Sequence, residues 1–182
     1  MSAQTLSSNE GKVVLNGFVR FMLYGGDTGG SFSLVEHVMQ PGTLAAPMHT
    51  HCDEDEYSYV LEGEITAKIG DDVIRAPAGT LVSKPRNIPH TFWNQGSTPA
   101  RLLEIISPAG FENYFEELAA VLEASNPPDF GHVIAVAQKY NLEMDFSTLM
   151  DISQKYNVWL GGPNAAPKPD PNAEAQPVGE PL

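Results

Sequence analysis

The sequence predicts an all-β domain of short strands, a sandwich or barrel, followed by a helical C-terminal extension. Three observations predict it. Between Lys12 and Ser107 short runs rich in β-formers follow one another, several alternating apolar and polar residues, as in Ile65-Thr66-Ala67-Lys68-Ile69. Turn residues separate them at regular spacing: Gly25-Gly26-Asp27, Glu62-Gly63, Gly70-Asp71-Asp72 and Ala78-Gly79. At Pro108-Ala109-Gly110 the period changes from two to that of a helix. Many short strands in series favour a sandwich or barrel over an α/β fold.

Taken in order, residues 1–11 form an N-terminal arm and residues 12–107 the β domain. The expected strands are VVLNGFVRFMLY, SFSLVEHVM, YSYVLEGEITAKIG, DVIRAPAG, TLVSKP, HTFWN and ARLLEIIS. Residues 108–161 are the helical extension. Its first helix places Phe111, Tyr114, Phe115, Leu118 and Leu122 on one side and Glu112, Glu116 and Glu123 largely on the other. A second helix starts near Pro128, a residue suited to a first helical turn, and ends by Asn141. A third follows Ser147 as its cap and runs to about Tyr156. Residues 162–182, rich in Pro and Ala and poor in large apolar side chains, read as a disordered tail.

Composition narrows the function. The chain has 182 residues and a formal charge of -13, from 23 acidic against 10 basic residues, which argues against nucleic-acid or anionic-membrane partners. No apolar stretch is long enough to span a bilayer. The start, MSAQTLSSNE, lacks the features of a secretory signal, and the lone Cys52 can form no intrachain disulfide. The expectation is a soluble cytoplasmic protein.

The chemistry concentrates in HTHCDEDE and, further on, PRNIPHTFWN. On a strand, His49 and His51 project from one face, because successive side chains alternate. Glu56 just beyond them and His90 on a later strand complete a mixed nitrogen/oxygen set for a divalent transition metal. By the same parity Ser58 and Val60 share the face of Glu56, while Phe92 and Asn94 share that of His90. Thr50 and Cys52 point the other way, so thiolate ligation is not expected. Three imidazoles and a carboxylate leave one or two positions open on a five- or six-coordinate ion, as in a catalytic site. Iron, manganese, nickel and cobalt all suit this set, and zinc also fits.

These residues resemble the two motifs of the cupin superfamily. The first stands here as Gly42-TLAAPM-His49-Thr50-His51-CDED-Glu56-YSYVLE-Gly63, and the second as Gly79-TLVSK-Pro85-Arg86-Asn87-Ile88-Pro89-His90-TFW-Asn94. The departures are one extra residue before His49 and Asn87 in place of a glycine. Asparagine tolerates a left-handed turn better than other non-glycine residues. The resemblance covers residues 42–94 in motif and 12–107 in strand pattern. It implies a small antiparallel β-barrel, the double-stranded β-helix or jelly roll, with the metal inside near one mouth. It also implies a homodimer joined through barrel strands.

Within that superfamily the chain looks like the single-domain bacterial group similar to quercetinase, a flavonol dioxygenase that opens a heterocyclic ring with molecular oxygen. The implied partners are a phenolic or enolic small molecule and oxygen. His49, His51 and His90 would anchor the metal, with Glu56 as a fourth ligand or as the base that takes the substrate hydroxyl proton. Phe92 and, if the first helix covers the barrel mouth, Phe111, Tyr114 and Phe115 would line the substrate pocket. Two other classes compete: a non-catalytic metal or small-ligand binder, and a metal-assisted isomerase, cyclase or decarboxylase.

Simpler readings apply to the remaining residues. His37 and His132 read as hydrogen-bonded core histidines, and Asp53-Glu54-Asp55 as a solvated loop. Trp93 reads as an outer-face or subunit-contact residue, alongside Tyr57 and Tyr59 at exposed parity.

Overall fold

A computed structural model describes residues 5–7 and 10–161. The disordered-tail reading of 162–182 and most of the N-terminal arm lie outside the described residues. Thirteen strands and three helices are described: β1 (Val13–Val14), β2 (Val19–Leu23), β3 (Ser33–Met39), β4 (Thr43–Leu44), β5 (Met48–His51), β6 (Asp55–Glu62), β7 (Glu64–Ile69), β8 (Asp72–Pro77), β9 (Leu81–Lys84), β10 (His90–Asn94), β11 (Ala100–Ser107), α1 (Glu112–Ala124), α2 (Phe130–Lys139), β12 (Leu142–Asp145), α3 (Leu149–Tyr156) and β13 (Trp159–Leu160).

One sheet runs β1-β2-β3-β11-β6-β9, all antiparallel. In the other, β10 pairs with β7 on one side, and β7 with β8. On its other side β10 meets β5 and then β4, which are flanked in turn by β12 and β13. The inner faces meet through Met39, Val60, Val82, Ala100 and Leu102 of the first sheet and Ile65, Ala67, Ala76 and Phe92 of the second. The burial of β11 alternates residue by residue, as its sequence pattern requires.

Two turns show why particular residues stand where they do. Gly63 joins β6 to β7 at φ +70, and a Cβ there would fall 2.7 Å from the Pro99 carbonyl oxygen. Asn87 has φ 62, the left-handed conformation expected of it, and its N–H donates to the His51 carbonyl at 2.8 Å.

The structure departs from the sequence reading at four places. The first expected strand is broken at Leu15–Gly17 by a tight turn, with Asn16 at φ 55. The third helix begins at Leu149 without a side-chain cap, and Ser147 instead donates its N–H to Asp145 Oδ1 at 2.8 Å. The extension is not wholly helical, since β12 and β13 add strands to the second sheet. Trp93 does project from the outer side of β10, but α3 covers it: it is fully buried, 4.5 Å from the Tyr156 ring. The second helix is as expected, with Asp129 accepting from the N–H groups of Gly131 and His132.

Candidate metal centre

Three strands bring the four residues together. His49 and His51 lie on β5, Glu56 at the start of β6 and His90 at the start of β10. His90 is the register partner of His49. One ligand atom from each of the four lies within 4.8 Å of every other, and all four side chains are buried. The ring centroids are 4.5 Å apart for His49 and His90, 5.2 Å for His49 and His51, and 5.5 Å for His51 and His90.

The outer ring nitrogens are already engaged. His49 Nδ1 lies 2.9 Å from the Pro47 carbonyl and His90 Nδ1 3.1 Å from that of Ile88. Donation to those carbonyls places the proton on Nδ1 and the lone pair on Nε2. His90 Nε2 then faces Glu56 Oε2 at 3.1 Å, and His51 Nε2 faces Glu56 Oε1 at 3.4 Å. Lone pairs converging on one small volume fit a cation. Burial, then the neighbouring imidazoles His90 and His51, holds His49 well below the usual histidine range. Burial likewise lowers His90. Both are therefore neutral and ready to ligate at neutral pH.

Burial pushes the Glu56 carboxyl up, but Lys84, His51 and His90 outweigh it and hold the group well below the usual carboxylate range. Lys84, 1% exposed, places Nζ 2.9 Å from Glu56 Oε2 and 2.8 Å from Glu104 Oε2. Ser58 Oγ donates to the same Glu104 oxygen at 2.7 Å. The sheet register makes this cluster, since Glu56 pairs with Lys84 across β6/β9 and Ser58 with Glu104 across β6/β11. Burial raises the Glu104 carboxyl to about 7, against the pull of Lys84.

The acidic run is solvent-exposed at Asp53 but not at Glu54. Glu54 is buried, with Oε2 3.5 Å from His51 Nδ1, and neither atom has another partner among the described residues. Asp53 accepts from Asn141 Nδ2 at 2.7 Å. Asp55 accepts from the Arg86 backbone N–H at 2.9 Å and from its guanidinium at 3.2 and 2.9 Å. The Asp55–Arg86 contacts pin the loop that precedes His90 to the strand that carries Glu56.

The four aromatic residues are all packed into core. Phe111 lies 4.3 Å from the His51 ring, edge to face, and touches Tyr114 and Phe115 in the cluster built on Val19, Phe21, Val35 and Ile106. Phe92 carries the Lys84 ammonium over its face at 4.5 Å. His37 is buried as expected, but stacked on Phe18 at 4.7 Å with Nδ1 unpartnered among the described residues. His132 is no core residue: it is exposed and pairs with Asp129 at 3.2 Å. Cys52 is half-buried and outside the ligand set.

Lys84, Glu104 and Glu54 were not anticipated from the sequence. The signal that could have found the first two is parity, since Lys84 shares the face of Val82 and Glu104 that of Leu102 and Ile106.

Residues 35–106 match the family described as Cupin domain. Over 93 residues, half of this chain, the sequence is 27% identical to the tetracenomycin polyketide synthase protein TcmJ of Streptomyces glaucescens. The matched stretch spans 62% of that relative. Among solved structures, a Klebsiella pneumoniae protein with a double-stranded β-helix domain superposes with TM-score 0.50 at 20% identity, over 60% of this chain and 93% of that one. A Thermotoga maritima protein described as a predicted oxalate decarboxylase gives TM-score 0.48 at 21% identity, over 50% and 78%. Among the described residues no helix is long and apolar enough to cross a membrane.

Proposed function

We propose, from the match of residues 35–106 to the Cupin domain family, that the chain is a metal-dependent dioxygenase acting on a phenolic or enolic small molecule. The observation that carries this reading is Glu56. It is a buried carboxylate, ionised at neutral pH, in contact with the ligating nitrogens of two histidines. A group so placed can take the proton of a substrate hydroxyl directly beside the metal position.

His49, His51 and His90 would hold a divalent ion, with Glu56 as the fourth ligand when it is not acting as base. When bound, that ion supplies Lewis acidity and an open coordination position. The chain's own residues do the rest. The Nδ1 contacts of His49 and His90 fix their rings, Glu56 holds the proton, and the Phe111 ring against His51 shields the ligand shell from water. Iron, manganese, nickel and cobalt all fit the set.

A second reading is a metal-assisted cyclase, isomerase or decarboxylase acting without oxygen. It is favoured by the likeness to a protein named for a polyketide synthase.

The test is oxygen uptake by metal-replete protein screened against flavonols and other enolic compounds, run in parallel under anaerobic conditions. Oxygen-dependent turnover, falling about a hundredfold or more in Glu56→Gln at equal metal content, is the expected result. Full activity in that variant overturns the base role. Turnover without oxygen selects the second reading, and no turnover at full metal occupancy selects a binding protein.

A further inference from the structure

We propose that Lys84 is a positioning residue that competes with the bound metal for Glu56 Oε2, so that Glu56 alternates between the metal and the ammonium. Glu104 is the second partner that keeps Lys84 in place when Glu56 moves. The proposal rests on the reading of His49, His51, Glu56 and His90 as a metal site, and it needs no particular substrate.

An ammonium buried to 1% exposure needs a carboxylate partner, and one is enough to neutralise it. Lys84 has two, Glu56 Oε2 at 2.9 Å and Glu104 Oε2 at 2.8 Å. Glu104 is fully buried, and its Oε2 accepts from the Ser58 hydroxyl. It therefore remains within hydrogen-bond reach of the Lys84 ammonium when Glu56 moves. The remaining side of the ammonium rests on the Phe92 ring, which is itself buried and leaves it no route to water.

Glu56 is thus placed between two cation sites. One side of its carboxylate faces His51 and His90, and Oε2 is shared with Lys84. Each cation weakens the hold of the other on that oxygen. A carboxylate held by the metal alone would be a tight, inert ligand. One shared with a fixed ammonium is more easily released from the metal. The lysine is supplied by the strand ladder itself, which pairs Glu56 with Lys84 directly.

The experiment titrates apo protein with Co2+, following affinity by chelator competition and Glu56 coordination by the cobalt absorption bands. Lys84→Met removes the competitor and keeps an apolar stem against Phe92, so cobalt should bind about tenfold tighter or more. Glu104→Gln leaves Lys84 with Glu56 as its one carboxylate partner, so cobalt should bind about tenfold weaker. In a Glu56→Gln background both shifts should shrink below about threefold, because the competition acts through that carboxylate. Shifts of the same sign in the two variants, or undiminished shifts without Glu56, overturn the proposal. If Lys84→Met does not fold, judged by far-UV circular dichroism of the apo protein, Glu104→Gln decides alone. Weaker binding with altered bands then supports the proposal, and unchanged or tighter binding overturns it. Wild-type protein that binds no cobalt overturns both this proposal and the metal reading. Binding with the wrong variant signs overturns this proposal only.

Discussion

His37 is a buried imidazole that the metal site does not use. It sits on β3, stacked on Phe18, with Phe92 and Phe115 each 5.7 Å away. Burial, reinforced by the Lys84 charge, lowers it to about 4, so the folded protein holds it neutral. In the unfolded chain a histidine takes up its proton near pH 6.5. Between about pH 6.5 and 4 the unfolded state therefore binds a proton that the folded state refuses, and stability falls as pH drops through that window. The loss between pH 7.5 and 4.5 should be about 2–3 kcal/mol from this group alone. His37→Phe keeps the stacking but has no proton to bind. Urea unfolding of the apo proteins should show the variant gaining that amount on the wild type over the same pH range. A constant difference between them would remove His37 from the account. Residue identity placed His37 in the core but missed other buried ionisable groups. The four metal residues were legible because i, i+2 spacing and two flanking motifs fix their face. Lys84, Glu104 and Glu54 were not, since a charged side chain reads as solvent-facing until its strand neighbours are counted. His132 was misassigned for the opposite reason, as nothing in its local pattern distinguishes an exposed histidine near a helix start from a packed one.

At the scale of elements, β12 decides how firmly the site is built. Its residues pair with β5 in a register that sets Leu142 against His51 and Met144 against His49. On its other side β5 pairs with β10 at the single position His49–His90. Without β12, two histidines of the candidate metal site would stand on an open sheet edge, free to fray. Leu142 anchors the strand, buried in the cluster that contains Phe111 and Tyr114. Leu142→Ala should cost about 2–3 kcal/mol, towards the lower end for large-to-small core changes. It should also speed amide exchange along β5 more than along β6 and weaken metal binding. Exchange in β5 no faster than in β6 would show that β12 is mere covering. This strand could not be read from the sequence. It is four residues long, follows α2 across Asn141 at φ 48, and is too short for a period to emerge. The longer strands and the first two helices were legible because each carries its own period and turn chemistry, whereas β12 and β13 exist only through their partners.

For the molecule as a whole, the question is whether the β domain stands without its extension. The matched family segment ends at residue 106, and the sequence pattern likewise separates 12–107 from the helical residues beyond it. The core does not divide there. Of the three buried clusters among the described residues, one joins Val19, Phe21, Val35 and Ile106 to Phe111, Tyr114, Phe115, Ala137 and Leu142. Another joins Leu44, Met48 and Trp93 to Ile152 and Val158. Only the cluster between the two sheets is made wholly within the β domain. Removing the extension would strip cover from one face of each sheet and take β12 from the edge of β5. Each large apolar side chain returned to water costs about 1.5–3 kcal/mol, and Phe21, Met48 and Trp93 are among those uncovered. A domain's whole stability is about 5–15 kcal/mol, so a handful of such exposures consumes it. A chain ending at Ser107 should therefore show no cooperative thermal transition and should bind hydrophobic dye, and cobalt should not rescue it because His49 and His51 would lie on a frayed edge. Cooperative unfolding near the full-length temperature would mean that the β domain is autonomous and the extension an addition to it. If the transition is lost, the helices and the two late strands are structural members of the metal site.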